Sequence, residues 1–144
     1  MDLLSGAILA FAVLETLNVI LLYFAPESTK GNGVGAFRAF EESKDDPEIH
    51  AFVEYLVNWV AGSKLIFISL LIVVAFVGNT ETKVLSIIAL LLSILTFYWR
   101  LYPAIKKLDN QNQIVPKGYS RTLAKMIAGF IGVFGIALII HFVR

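Results

Sequence analysis

The sequence predicts an all-α integral membrane protein, a single bundle of four transmembrane helices over residues 1–144 with two long cytoplasmic loops. Three observations predict it. Hydrophobic residues make up 58% of the chain and charged residues only 16%, with a mean hydropathy of +0.77, more apolar surface than a soluble domain of this size can cover. Four apolar segments reach the ~20 residues that a helix needs to cross ~30 Å of hydrocarbon at ~1.5 Å per residue. No series of ~10-residue alternating segments marks the strands of a membrane β-barrel.

The spans fall at about 3–24, 51–77, 83–102 and 122–143. The first has no basic segment before it and carries Glu15 in its middle, so it reads as a permanent span and not as a cleaved leader. Pro26 stops it. "KGNGVG" (30–35) then supplies alternate glycines without the G-x-G-x-x-G spacing or the Lys-Ser/Thr of a phosphate loop, and is read as a flexible connector. "VGAFRAFEES" predicts a short amphipathic helix seated at the bilayer interface, with Phe37 and Phe40 on one face. In "SKDDPEIHAF", Asp46 is a helix cap, Pro47 the first helical residue and Glu48 a first-turn acid. The second helix therefore begins near Pro47, and its first turns protrude from the membrane or tilt. "KKLDNQNQIVPKGYS" is a polar loop, after which Ser120 is the expected cap of the fourth helix.

Orientation follows from the basic residues. With these spans, Lys30, Arg38, Lys44, Arg100, Lys106, Lys107, Lys117, Arg121 and Lys125 share one side, and Lys83 and Arg144 lie on the other. Basic residues mark the cytoplasmic face. Both termini are therefore expected outside and both long loops inside, in a multi-pass protein of the cell (plasma or inner) membrane. Tyr98, Trp99 and Tyr102 cluster where the third span meets that inner face, the level amphipathic rings prefer.

Several function classes are excluded. The chain has no cysteine, which removes disulfides, thiolate catalysis and Cys-ligated metals. The net charge is +1 with acids nearly matching bases, so no nucleic-acid partner is indicated. His50 and Glu54 are i, i+4, but His141 lies a membrane away, so no metal site is expected. No nucleophile–base pair points to a catalytic residue, and no cofactor motif is present.

The informative residues are the polar ones inside the spans. Ionisable groups at bilayer depth cost at least ~2.5–3.5 kcal/mol, so they face the bundle and have a partner or a task. Glu15 lies ~13 Å from the inner end of its helix and Lys64 at a similar depth in the second, antiparallel helix, so the two are expected to pair. Asn18 shares the face of Glu15 one turn nearer the cytoplasm. His50, Glu54 and Asn58 recur every four residues as an access stripe from the inner surface, with Lys64 about 80° round from Glu54. Ser86, Ser93 and Arg100 repeat every seven residues on the third helix, near Thr96. Ala124, Ala128 and Gly132, with Gly129 and Gly135, form a small-residue face on the fourth that predicts close helix packing, within the bundle or between subunits.

These residues predict a midplane polar site (Glu15, Asn18, Asn58, Lys64, Arg100) that handles a small ion, proton or polar solute. A rival is a structural or accessory subunit in which Glu15–Lys64 is a salt bridge fixing register. A third is an interfacial enzyme gripping a lipidic or anionic substrate with Arg38, Glu54 and Arg100. "SGAILAFAVLET" resembles the first helix of small multidrug-resistance exporters, which also place a glutamate mid-helix; the longer inner loops and the buried Lys64 depart from that pattern. The expected partners are the lipid bilayer and further copies of the chain or subunits of a membrane complex.

Overall fold

The computed structural model describes residues 2–143; Arg144, expected on the outer side, lies outside them. Among the described residues the chain is helical, without strands beyond one isolated bridge, and four helices are long and apolar enough to span a membrane. Helix α1 is Leu3–Phe24, α2 Arg38–Ser43, α3 Pro47–Val77, α4 Thr80–Thr96, α5 Tyr102–Asn110 and α6 Tyr119–Val143.

Local chemistry sets most of these limits. The Asp2 carboxylate accepts from the Ser5 N–H at 2.7 Å and opens α1. Asp46 accepts from the N–H groups of Glu48 and Ile49, with Pro47 in the first turn of α3, where its missing N–H costs nothing. Asn79 accepts from Thr82 N–H and opens α4.

Helix α1 touches all three other long helices, most extensively α3, while α4 also packs on α6. The main core joins Leu4, Ile8, Phe11, Ile68, Ile87 and Phe134. A second cluster at one end joins Ala36, Phe97, Ile105, Ile114, Tyr119 and Leu123. That end holds both inter-helix segments: Arg38 N–H donates to Gln113 O at 2.9 Å, Val115 N–H to Ala36 O at 2.8 Å, and Tyr119 OH to Gly31 O at 2.8 Å. At the opposite end Lys83 Nζ meets the Asp2 carboxylate at 2.7 Å. The outer faces leave large apolar side chains exposed, among them Leu17, Ile66, Leu92 and Ile139, the exterior expected of a bundle facing lipid.

Several local expectations give way. The third helical rod does not stop at Tyr102. It passes through a π-helical turn, Phe97–Leu101, and continues as α5 to Asn110. Pro103 lacks an N–H and its ring would press on the Trp99 carbonyl of a regular helix; the wider turn relieves both. Ser120 is inside α6 and does not cap it. Asp109 does this work from α5, accepting from Gly118 N–H (2.9 Å), Ser120 N–H (3.1 Å) and Ser120 Oγ (2.6 Å). The 30–35 glycines are no loose connector: Gly35 N–H donates to Pro26 O at 2.9 Å, and a Cβ there would lie 1.8 Å from Glu27 O. Glycine is required by that close approach. Phe40 is buried, 5.8 Å from the His50 ring, and Phe37 packs on Tyr119, so this aromatic pair faces protein rather than the bilayer interface. The glycines of the small-residue face of α6 have open space beside them, since a Cβ at Gly129, Gly132 or Gly135 would meet nothing within 4 Å, whereas Ala124 packs on the second cluster.

Candidate functional site

The site is built where α1 and α3 run closest. Small side chains are buried along this pair, Ala7 and Ala12 from α1, Ala61 and Ala75 from α3, and they let the backbones approach. Ser5 Oγ donates across it to Ala75 O at 2.9 Å. Midway, Lys64 Nζ reaches over from α3 and donates to Glu15 Oε2 at 2.7 Å and to Asn18 Oδ1 at 2.5 Å. Glu15 and Asn18 are three residues apart on α1 and so present their oxygens to one ammonium. Side-chain exposure is 24% for Lys64 and 18% for Glu15, so the pair is largely removed from the surface without being sealed. Asn18 Nδ2 is buried and has no hydrogen-bond partner, because the amide is turned to give its oxygen to Lys64.

The pair lines a cavity of about 750 Å³ bounded by α1, α3, α4 with its π-helical turn, and α6. Its polar residues are Glu15, Asn18, Lys64, Ser93, Thr96 and Arg100, and the loop residue Asn32. Most of the wall is apolar: Phe11, Leu14, Leu17, Leu21, Phe67, Leu90, Phe97 and Phe130 among others. Phe11 stands edge-on to Phe67, Phe130 and Phe134, with centroids 6.1, 5.0 and 5.3 Å away, and this aromatic cluster closes the end of the cavity away from the loops. Leu14, Leu17, Thr96, Arg100, Leu101 and Met126 are exposed, so the remaining wall communicates with the surroundings of the bundle.

Arg100 sits in the π-helical turn with its guanidinium 5.8 Å from the Trp99 ring. Among the described residues no carboxylate comes within ion-pair distance of it. The cavity is thus lined by one compensated pair and one uncompensated cation.

The access stripe lies elsewhere. His50 Nδ1 meets Ser43 Oγ at 2.9 Å, and His50 Nε2 lies 3.6 Å from Glu54. Glu54 and Asn58 are exposed, and none of the three lines the cavity. Nearby Phe52, Tyr55 and Trp59 form a stacked ladder on the surface of α3. Arg38 is also exposed and does not line the cavity. No cluster of three or more metal-ligating side chains occurs among the described residues.

Two features were missed by the sequence reading. Which apolar residues would line a cavity was illegible, because in a span that is apolar throughout, core, cavity and lipid faces read alike. The Asp2–Lys83 pair joins residues far apart in the chain, and their shared level at one end of the bundle was its only cue. No family model, curated protein or solved structure matches this chain.

Proposed function

We propose that this chain is a multi-pass protein of the cell membrane that holds a small solute inside the bundle, at a site formed by Glu15, Lys64 and Asn18 with Arg100 towards the loops. The observation that supports this is the cavity of about 750 Å³ reaching all four side chains. Ligand pockets are typically ~300–1,000 Å³, apolar for the most part, with a few converging polar groups. The apolar wall favours a solute with a substantial apolar body over a bare hydrated ion, whose lost water such a wall cannot replace. In the proposed orientation the loops are cytoplasmic and the cavity opens towards the inner half of the bilayer.

The absence of native cysteine gives a direct test. Ser93→Cys places one thiol in the cavity wall. It is expected to react with a small thiol reagent, and an excess of an apolar dye that binds the protein should slow that reaction. A thiol that stays unreactive while the protein is folded, with no saturable dye binding, would sink the reading.

A second reading is favoured by one contact pattern: Lys64 already has two acceptors and Glu15 is matched in charge, as in a strut fixing the register of α1 on α3. On that reading the stable double variant Glu15→Gln/Lys64→Met leaves dye binding unchanged. For assembly, the open small-residue face of α6 is proposed to receive a helix of another copy. Gly132→Leu should then shift the size in mild detergent without lowering monomer stability; unchanged size refutes it.

A further inference from the structure

We infer that the solute is a single-chain amphiphile with a monoanionic head, its carboxylate held by Arg100 and its chain lying in the cavity. The inference rests on the solute-binding reading above and adds the chemical class. It starts from charge. Three ionisable side chains line the cavity, and Lys64 is neutralised by Glu15 at 2.7 Å. Arg100 is left without a carboxylate among the described residues, so the lining carries one net positive charge. A guanidinium presents two parallel donors to a carboxylate. A single fork matches a single negative charge, whereas a phosphate monoester dianion would call for a second cation at the same spot.

Position supplies the rest. Arg100 lies beside Tyr98, Trp99 and Tyr102, the aromatic group that marks an interface level. From there the lining runs through Thr96, Ile94 and Leu90 to the Phe11 cluster that closes the far end. A head at the interface and a chain running towards the middle is the arrangement an amphiphile already has in a leaflet, so lateral entry needs no inversion. Size agrees: if a methylene fills about the ~30 Å³ of a water, 750 Å³ has room for roughly 25 such groups, enough for one long chain.

The test uses the full chain reconstituted in vesicles of zwitterionic lipid free of any other protein, with Trp59→Phe so that Trp99, beside Arg100, is the sole tryptophan. Energy transfer from Trp99 to cis-parinarate, a fluorescent long-chain carboxylate, reports binding, and oleate, oleyl alcohol and oleylamine compete. Saturable transfer is expected, with oleate competing at least about tenfold better than the alcohol or the amine. Arg100→Gln should remove that preference while the alcohol still competes, and Arg100→Lys should keep part of it. If acid and alcohol compete equally in the wild type, the anionic head is wrong and the cavity still binds an apolar solute. If parinarate transfer never saturates in a folded protein, the solute-binding reading falls and this inference with it.

Discussion

The Glu15–Lys64 contact makes the sharpest prediction about stability. Lys64 Nζ donates to Glu15 at 2.7 Å and to Asn18 Oδ1 at 2.5 Å. Breaking a fully buried pair from one side typically costs ~3–5 kcal/mol, because the survivor is left uncompensated, while removing both partners is often near neutral. Here roughly a fifth of each side chain is still exposed, which lowers the expectation to ~2–3 kcal/mol by partial solvation of the survivor. The two single losses should also differ. Glu15→Gln leaves Lys64 with Asn18 Oδ1 and a neutral amide oxygen, so its loss is the smaller. Lys64→Met leaves the Glu15 carboxylate without its only side-chain donor among the described residues and strands Asn18 Oδ1 as well. Reversible unfolding in mixed micelles, followed by far-UV circular dichroism, measures all four corners of the cycle. A coupling of ~1–3 kcal/mol is expected, with the double variant more stable than the sum of the single losses predicts. Additive losses, or a greater loss from Glu15→Gln than from Lys64→Met, would refute the reasoning.

Three further outcomes are expected. Asp109→Ala removes the acceptor of three hydrogen bonds at the start of α6 and should cost ~2–3 kcal/mol in the same assay, with Asp109→Asn intermediate; a neutral Asp109→Ala would show that α6 starts without it. At the other end, hydrogen bonding from Lys83, and then from Ser5 N–H, holds the Asp2 carboxyl well below the usual carboxylate range. A depressed value in the folded state means this stabilisation is complete above about pH 4, where an unfolded Asp is ionised, and fades as pH falls towards the folded value. Because Asp2 is about half exposed, the effect should be under ~1 kcal/mol; melting curves between pH 7 and 3 should decline less steeply for Asp2→Asn, and parallel curves would contradict the pairing. Gly35→Ala forces a Cβ to 1.8 Å from Glu27 O and should destabilise by ~1–3 kcal/mol or more, exposing the 25–46 segment to limited proteolysis, whereas Gly132→Ala, with open space around it, should leave the melt unchanged.

Read alone, the sequence determined the four long apolar helices, though not where the third ends or the fourth begins. Apolar runs long enough to span ~30 Å, the Asp46-Pro47 start and the stop before Pro26 are local signals, and they depend on nothing outside their own segment. The mid-depth match of Glu15 and Lys64 was also readable, since depth along a helix is a count of residues at a fixed rise. What lies around a helix was not readable. Asn58 and Glu54 keep a four-residue period with His50, yet period fixes only that they share a face, and the packing of α1 on α3 turned that face outwards. Arg100 was expected in the polar site together with Asn58, but only the packing around the π-helical turn before Pro103 put Arg100 in the lining of a cavity and left Asn58 out of it. Ser120 was a reasonable cap by type, but Asp109, eleven residues earlier, reached its N–H first because α5 outran the expected span. The glycines of 30–35 gave the same spelling for a slack linker and a packed turn, and the nearness of Glu27 O to Gly35 chose between them. Segment length and local hydrogen bonding are written along the chain; which faces meet, and what space they leave between them, is decided when the helices pack, because that depends on neighbours the local sequence does not name.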